Sequence, residues 1–226
     1  RHAQAGKERK VFYYFFFAVF AALRAILLRL CEKILMINNI TSIILSGGKS
    51  TRMGEDKGLL KVNGQTLVEC VLSVVKQVST DVIIIANQPG YKKFRLPVFE
   101  DIYKDKGPAG GIHAGLVHSK NQYNLVTGCD MPFLSTDFLQ YIISQNDYEH
   151  DAIVPVFDKL PQPLCAIYSK KCLSTLEECI RTGQLKMQKI LRQLNTKYIC
   201  VDKSLKFYNS RLVMNINSVE DLKQCH

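Results

Sequence analysis

The stretch LSGGKSTRMGEDKG, Leu45 to Gly58, decides the fold class, because a glycine pair and several cations directly follow an apolar run. It contains the letters GKST, which end the P-loop signature Gly-x4-Gly-Lys-Ser/Thr of ATP- and GTP-hydrolysing proteins. That signature needs its first glycine at position 43. The chain has Ile43 there, inside a strand-like run that cannot make the turn. The stretch is therefore not a P-loop, and its glycines and cations need another explanation.

This loop has the composition of an anion-binding segment. Its glycines let backbone N–H groups approach a ligand closely and surround an anion. Lys49, Arg52 and Lys57 add three cations, with Glu55 and Asp56 among them. A bound triphosphate requires such donors and charges under a flexible cover. A solvated loop with incidental charge is the alternative, but the length of the loop, its glycines and its place after a buried strand favour phosphate binding.

Strand-like and helix-like segments alternate along the chain from Ile40 onward. Short β-branched runs predict strands, and apolar residues at three- and four-residue spacing predict helices. The alternation predicts an α/β fold, a single domain with a mostly parallel sheet flanked by helices. The predicted strands are TSIIL, DVIIIAN, LPVFED, YNLVTGCD, DAIVPVFD, PLCAIYS and LVMNIN. The predicted helices are LVECVLSVVKQV, IHAGLVHSK opened by the glycines at 107–111, DFLQYIISQ after a Ser135 cap, CLSTLEECI, KMQKILRQL and SVEDLKQ.

Polar features stand where four of the predicted strands end. They are the Gly47-Gly48 pair, Asn87, Asp101 and Asp130. Parallel sheets bind ligands beyond the carboxyl ends of their strands. We therefore expect these residues to meet at one edge of the sheet and to form the ligand site.

Composition limits the partners and the compartment of the protein. The 226 residues carry a formal charge of +10, and residues 1–35 hold seven of the basic and two of the acidic residues. The remainder is moderately basic, which suits a small phosphorylated ligand, and no arginine-rich stripe interleaved with aromatic residues indicates nucleic acid. The eight cysteines form no Cys-x-x-Cys pair. We expect reduced thiols in the cytoplasm, without a zinc site or a disulfide scaffold.

The loop and five later motifs, taken in order, resemble one protein family. LSGGKSTRMGEDKGLL is similar to the signature of the molybdenum cofactor guanylyltransferases, the MobA family, which is broadly Leu-Ala-Gly-Gly-x-Ser-x-Arg-Met-Gly-x-Asp-Lys-x-Leu. The resemblance extends over residues 40–225. The later motifs are Asn87 after the second strand, Glu100-Asp101 after the third, Gly107-Pro108-Ala109-Gly110-Gly111, Cys129-Asp130-Met131-Pro132, and the closing MNINSVEDL, Met214 to Leu222.

The resemblance implies a Rossmann-like nucleotidyltransferase fold and the transfer of GMP from GTP to Mo-molybdopterin. The products would be the molybdopterin guanine dinucleotide cofactor and pyrophosphate. The pterin phosphate would attack the α-phosphorus of GTP in line, so the protein would chiefly align groups and stabilise charge. The implied partners are GTP, Mo-molybdopterin and molybdenum cofactor chaperones or recipient molybdoenzymes, with no nucleic acid and no membrane.

The resemblance implies five nucleotide contacts besides Lys57 and Asp130. Leu45, Ser46 and Gly47 would contact the nucleotide through backbone groups, so that Ser46 in place of the commoner alanine is expected to be harmless. Asn87 and Asp101 match the positions that contact guanine or ribose. An aspartate accepts from both N1–H and the exocyclic amine of guanine, which disfavours adenine. The alternatives are that Asn87 forms a turn and that Asp101 pairs with a nearby lysine.

Three charged residues are implied to be catalytic. Lys57 would neutralise phosphate charge, and Arg52 would assist the leaving pyrophosphate. Asp130 would bind the nucleotide through Mg²⁺, a hard cation that prefers carboxylate and phosphate oxygens. The alternative for Asp130 is that it ends a strand. Asn215 and Asn217 would either cap the final helix or reach the metal, and Asn217 is taken as a second metal ligand.

Two other functions stay open at this point. The same loop and acid would serve a cytidylyltransferase acting on molybdopterin or on a sugar or polyol phosphate, because base choice depends on few side chains. A non-catalytic nucleotide-binding member of the fold is the second, although such a protein has no need of Arg52, Lys57 and Asp130 together. On the acceptor side, His113 is a candidate.

Residues 1–35 are predicted to be an N-terminal extension, and residues 36–226 to be the nucleotidyltransferase domain. The run VFYYFFFAVFAAL, Val11 to Leu23, has thirteen apolar residues, whereas a membrane span needs about 20. It resembles a hydrophobic leader, yet no small-x-small cleavage site follows it before Arg24. Because the first methionine is Met36, we favour upstream translated sequence, with a leader or an added helix as alternatives.

Overall fold

The computed structural model describes residues 39–47, 56–62 and 64–216, together with Arg24 and Asp221. Contacts divide the chain into two units, Arg1–Ile37 and Asn38–His226, and the sheet and helices below belong to the second. Arg52, Asn217 and, apart from Arg24, the extension at residues 1–35 lie outside the described residues. The predictions about them stay predictions.

Ten strands and five α-helices form within the described part of the chain. The strands are β1 Ile40–Ser46, β2 Lys61–Val62, β3 Gln65–Thr66, β4 Asp81–Ala86, β5 Val98–Phe99, β6 Tyr123–Gly128, β7 Ala152–Phe157, β8 Leu160–Pro161, β9 Cys165–Ser169 and β10 Thr196–Cys200. The helices are α1 Leu67–Val75, α2 Gly107–His118, α3 Thr136–Ser144, α4 Leu173–Arg181 and α5 Met187–Leu191. Three short 3-10 helices, Lys57–Leu59, Pro89–Phe94 and Lys170–Cys172, complete the regular structure.

Eight of these strands form one mixed sheet. Its order is β10-β7-β9-β6-β1-β4-β5, with β8 paired to β7, and β2 and β3 form a separate hairpin. Strand β1 pairs in parallel with β4 and β6, and β4 pairs in parallel with β5. Strand β9 is antiparallel to both β6 and β7. The expectation of a mostly parallel sheet flanked by helices is confirmed, with β9 and the short β8 running opposite to the other strands.

Helices cover both faces of the sheet. One apolar cluster joins Ile44 of β1 to α1 and to residues of α3 such as Phe138. The other joins Ile43 of β1 to residues of α2 and α4, including Ile112. Because successive side chains of a strand point to opposite faces, the fully buried pair Ile43 and Ile44 fixes β1 in the middle layer of a three-layer fold.

Side-chain caps begin two of the helices. Thr66 and Glu69 form a capping box at the start of α1, in which each side chain binds the backbone N–H of the other residue. Ser135 Oγ accepts from Phe138 N at 3.3 Å at the start of α3, as the sequence predicted. Both caps satisfy N–H groups that an unaided helix would leave unpaired.

The glycine-rich motif at 107–111 forms the first turns of α2, the helix it was predicted to open. A Cβ on Gly115 would lie 2.5 Å from Ile43 Cγ2, and one on Gly111 would lie 3.2 Å from Leu45 Cδ2. Glycine at both positions lets the helix approach β1 more closely than any side chain would permit. The start of α2 therefore comes to the carboxyl end of β1.

One predicted strand is wrong, and one strand longer than two residues was not predicted, besides the two-residue strands β2, β3 and β8. In LVMNIN, Leu212 N and Met214 N bind carbonyls three residues back in turns, and Ile216 N binds Asp130 O at 2.9 Å. Its apolar alternation arises because Leu212 and Ile216 are buried without pairing in the sheet. The unpredicted strand TKYIC, β10, lies at the sheet edge and is mostly half-buried or exposed, so it lacks a continuous apolar run.

The helices of the described residues bear on whether this part of the chain crosses a membrane. None of these helices is both long enough and apolar enough to cross a bilayer.

Candidate active site

The carboxyl ends of β1 and β6 meet at a cavity. The two strands pair in parallel, and beyond their last register pair Cys129 N donates to Leu45 O at 3.0 Å. The cavity has a volume of about 230 Å³, smaller than the roughly 300–1,000 Å³ of typical ligand pockets, so it suits part of a nucleotide. Its lining residues are Leu45, Gly47, Asp56, Lys57, Pro108, Gly128, Cys129, Asp130 and Leu164.

An ion pair between Lys57 and Asp130 lies at this cavity. Lys57 Nζ is 2.6 Å from Asp130 Oδ2, and the two side chains are 17% and 19% exposed. The partners lie 73 residues apart in sequence, on the loop after β1 and directly after β6. The fold thus brings together the cation and the carboxylate that the sequence singled out, in a position partly withdrawn from water where charges interact more strongly than at the surface.

The Asp130 carboxylate occupies space that glycine leaves open. A Cβ on Gly128 would lie 2.7 Å from Asp130 Oδ1. On the backbone, Asp130 O accepts from Ile216 N at 2.9 Å, so the C-terminal segment is attached at the same point. Asp130 is therefore held by its own strand, by Lys57 and by a remote part of the chain.

Asn87 and Asp101, at the ends of β4 and β5, bind each other. Asn87 Nδ2 donates to Asp101 Oδ2 at 2.8 Å, and Asp101 N donates to Asn87 Oδ1 at 3.1 Å. Lys104 Nζ reaches Asn87 Oδ1 at 3.2 Å and also binds Glu100. The alternative expectation, that a lysine pairs with Asp101, is not met for Lys104, because Lys104 pairs with Glu100. A Cβ on Gly111 would contact both Asp101 Oδ1, at 3.7 Å, and Leu45, which places this pair beside the end of β1.

The oxygen donors at Asp130 determine which metal would suit the site. Among the described residues, no group of three or more His, Cys, Asp or Glu side chains could hold a metal ion. A cation at Asp130 would thus have few protein ligands and would complete its shell with phosphate and water oxygens, as Mg²⁺ does. Asn215 Oδ1 is buried without a hydrogen-bond partner, one residue before the Ile216 N–H that binds Asp130. A carboxylate and an orphaned amide oxygen fit a hard cation.

Several residues near the site were not found by sequence reasoning. Tyr91 is fully buried, and its hydroxyl donates to Asp56 Oδ1. Leu164 lines the cavity, and its carbonyl accepts from Gly128 N at 2.9 Å. An aromatic residue in the polar segment QPGYKKF was the available signal for Tyr91. A 3-10 helix is too short, however, for apolar periodicity to show which side chain points inward.

His113 lies away from the cavity lining. Its ring is 2% exposed, Nε2 is 3.0 Å from Glu177 Oε1 of α4, and it packs edge-on against Tyr103. The expectation that it borders the acceptor pocket has no support in these contacts.

The mixed sheet and its strand-end cavity define the class of Rossmann-like nucleotidyltransferases. A solved structure of molybdopterin-guanine dinucleotide biosynthesis protein A from Archaeoglobus fulgidus has this fold, with a TM-score of 0.70 and 28% identity over 81% of this chain and 95% of that one. A 4-diphosphocytidyl-2C-methyl-D-erythritol synthase from Anaerococcus prevotii, at 15% identity over 84% of this chain and 96% of that one, shares the fold alone with a TM-score of 0.60.

Residues 42–197 match the family described as MobA-like NTP transferase domain, and the chain belongs to this family. A probable molybdenum cofactor guanylyltransferase of Clostridium perfringens is 40% identical over 162 residues, 70% of this chain and 80% of that protein. A molybdenum cofactor guanylyltransferase of Desulfosudis oleivorans is 33% identical over 189 residues, 82% of this chain and 93% of that protein. The resemblance drawn from these sequence motifs is confirmed.

Proposed function

We propose that this chain transfers GMP from GTP to Mo-molybdopterin. A phosphate oxygen of the pterin forms a bond to the α-phosphorus of GTP, and the bond from that phosphorus to the bridging oxygen breaks. Pyrophosphate leaves with the bonding electrons, and the product is the guanine dinucleotide. The observation that carries the proposal is the Lys57–Asp130 pair, 2.6 Å apart in the cavity at the end of β1, in a chain whose relatives are named guanylyltransferases.

Lys57 would neutralise phosphate charge at this cavity. Its ammonium group is already held there by Asp130, so little reorganisation is needed when an anion binds. Backbone groups of Leu45, Ser46 and Gly47 are proposed as further contacts, since this segment ends β1 and Gly47 lines the cavity. Arg52, on the resemblance alone, is proposed to assist the departing pyrophosphate. Positioned charge of this kind supplies most of the stabilisation in phosphoryl transfer.

Asp130 is proposed to hold Mg²⁺ with oxygen atoms of the triphosphate. The bound ion would supply Lewis-acid stabilisation of the phosphate charge. Asn217 remains a proposed second ligand. Asn215 joins it as a candidate because its buried Oδ1 has no partner. Aspartate and amide oxygens are the ligand types that this cation accepts.

The Asn87–Asp101 pair is proposed to recognise guanine or its ribose. Asn87 donates to the Asp101 carboxylate at 2.8 Å and accepts from the Asp101 backbone N–H at 3.1 Å. These two hydrogen bonds hold the carboxylate in a fixed orientation. A fixed carboxylate can accept from N1–H and from the exocyclic amine of guanine together. Cytosine does not present that pair of donors, which is why we favour GTP over CTP.

The setting of this reaction is also part of the proposal. GTP and Mo-molybdopterin are the proposed substrates, and chaperones or recipient molybdoenzymes are the proposed partners. The proposed compartment is the cytoplasm, where the free cysteines of the described residues would stay reduced.

Calorimetric binding of GTP, CTP, ATP and UTP in the presence of Mg²⁺ tests the proposed base choice. We expect GTP to bind at least about tenfold more tightly than the others, a difference of about 1.4 kcal/mol. Preference for CTP would move the chain to the cytidylyl reaction while leaving the fold and Asp130 in place. Binding of no nucleotide would overturn the enzymatic proposal in favour of a non-catalytic role.

A further inference from the structure

A buried tyrosine supports the turn that carries Lys57. Tyr91 lies in the apolar core with no exposed surface, and its hydroxyl donates to Asp56 Oδ1. The same oxygen accepts from Gly58 N at 3.0 Å. Asp56 thereby caps the 3-10 turn Lys57–Leu59 and attaches it to the core through one carboxylate oxygen.

Polar side chains pack closely against Gly58 on the inner side of this turn. A Cβ on Gly58 would lie 2.7 Å from Ser46 Oγ, 3.0 Å from Cys129 Sγ and closer still to the Tyr91 hydroxyl. These three groups come from the end of β1, from the residue after β6 and from the segment after β4. The turn therefore rests against three separate parts of the sheet edge and has no room to shift inward.

These contacts fix the backbone next to each member of the Lys57–Asp130 ion pair. Lys57 lies between Asp56 and Gly58, which make the contacts just described, and Cys129 directly precedes Asp130. A lysine side chain has a flexible four-carbon stem, so the place of its ammonium group depends on where its backbone is fixed. Its 2.6 Å contact with Asp130 thus depends on the groups that fix this turn.

The Ser46 side chain also packs beneath this turn. The family signature commonly has alanine at this position, yet the hydroxyl here is buried and lies beside Tyr91 and Cys129. Burial raises the pKa of the Tyr91 hydroxyl far above its ordinary value and the pKa of the Cys129 thiol to about 12. Both groups stay neutral at physiological pH.

We propose that Tyr91 is a positioning residue, which holds the turn Lys57–Leu59 through Asp56 and so keeps Lys57 in place opposite Asp130. The proposal rests on the proposed role of Lys57 in phosphate binding. Tyr91 itself contacts no substrate in this account. Its contribution is to limit the positions open to the lysine before the nucleotide arrives.

Tyr91→Phe in the full chain tests this, because it removes the hydroxyl and retains the ring. We expect kcat for GMP transfer to fall about 10- to 100-fold, the cost of a misplaced catalytic group, with a thermal transition close to that of the wild type. Tyr123→Phe is the matched control, since Tyr123 is another buried tyrosine, at the opposite end of β6. It should retain kcat within about twofold, the scale of a neutral change.

A double-mutant cycle separates positioning from general destabilisation. If Tyr91 acts through Lys57, Tyr91→Phe should cause no more than about a twofold further loss in the Lys57→Ala background. Equal losses in the two backgrounds, or a Tyr91→Phe protein with wild-type kcat, would overturn the proposal.

A second pair of variants gives the same test if Tyr91→Phe does not fold. Asp56→Asn keeps an oxygen that can accept from both Tyr91 and Gly58, whereas Asp56→Ala does not, so the asparagine variant should retain several-fold more activity. Equal activities would overturn the proposal. Failure of the proposed function would look different, because the wild-type chain would then form no dinucleotide from GTP.

Discussion

At the scale of single residues, the proposed GMP transfer depends on Lys57 and Asp130. Lys57→Ala and Asp130→Ala are each expected to lower kcat at least about 100-fold, because each removes a charge that stabilises the transferring phosphate. Turnover with GTP and Mo-molybdopterin is the measurement. Lys61→Ala, which removes a nearby exposed lysine, is the control and should keep full activity. Near-normal rates in either site variant would contradict the role given to that residue.

Gly128 tests the geometry of Asp130 without removing its charge. In Gly128→Ala the new Cβ would lie 2.7 Å from Asp130 Oδ1, so the carboxylate must turn away. We expect kcat to fall about tenfold or more, as a displaced group does, while thermal unfolding shows that the fold is retained. In an Asp130→Ala background the same substitution should have little effect. A similar loss in both backgrounds would show that Gly128 acts in some other way.

Much of the site, but not its support, could be predicted from sequence at this scale. Lys57 and Asp130 were found because charged residues beside glycines and at strand ends have few structural reasons to be there. Tyr91 was missed because its proposed role comes from a hydrogen bond to Asp56, 35 residues away in sequence, that no local pattern records. Residues that act through tertiary contact leave no periodic signal.

At the scale of elements, α1 depends on its capping box. Thr66→Ala removes the hydroxyl that accepts from Glu69 N and should lower the free energy of unfolding by about 1 kcal/mol. Chemical denaturation is the measurement. Ser73→Ala, on the exposed side of the same helix, is the control, and surface changes of this kind stay within about 0.5 kcal/mol. Equal effects of the two substitutions would contradict the assignment of the cap.

Strands buried on both faces were predictable, whereas the edge strand β10 was not. Strand β4 is almost entirely apolar and buried, so its sequence alone indicates a central strand. Strand β10 pairs only with β7, and its solvent-facing positions interrupt the apolar run. LVMNIN shows the reverse case, in which a mostly apolar sequence imitates a strand although the backbone forms turns.

At the scale of the whole molecule, a cluster around Asp147 makes stability depend on pH. Asp147 follows α3, and its carboxylate lies 2.9 Å from His150 Nδ1 and 3.0 Å from Lys197 Nζ of β10. Hydrogen bonds from His150 and then from Lys197 hold the Asp147 pKa well below its usual range. A carboxyl whose pKa is lowered by folding stabilises the native state above its unfolded pKa of about 3.9 and loses this contribution as the pH falls further.

Asp147→Asn should therefore lower the unfolding free energy at pH 5 to 7. The difference between variant and wild type should shrink steadily as the pH falls below about 4, towards the low native pKa. Denaturation curves collected across this range are the measurement. A difference that stays constant between pH 7 and pH 3 would contradict the pKa assignment for Asp147.

The whole-molecule fold was predictable because the order of the motifs, and not any one of them, carried the information. The motifs, several of them at strand ends, together specified the class and the family, which the match over residues 42–197 confirms. The assignment of residues 1–35 as an extension stays a prediction. Its apolar run supports several interpretations, and no contact described above bears on it.

The central claim is that this chain joins GMP to Mo-molybdopterin. The most direct measurement is single-turnover product formation by the full chain with Mo-molybdopterin, Mg²⁺ and GTP labelled at the α-phosphate, with α-labelled CTP in a parallel reaction. The account predicts that the label enters the pterin dinucleotide from GTP, with one pyrophosphate released per transfer, and that CTP gives little product. Incorporation from CTP alone, or none from either nucleotide, would contradict it.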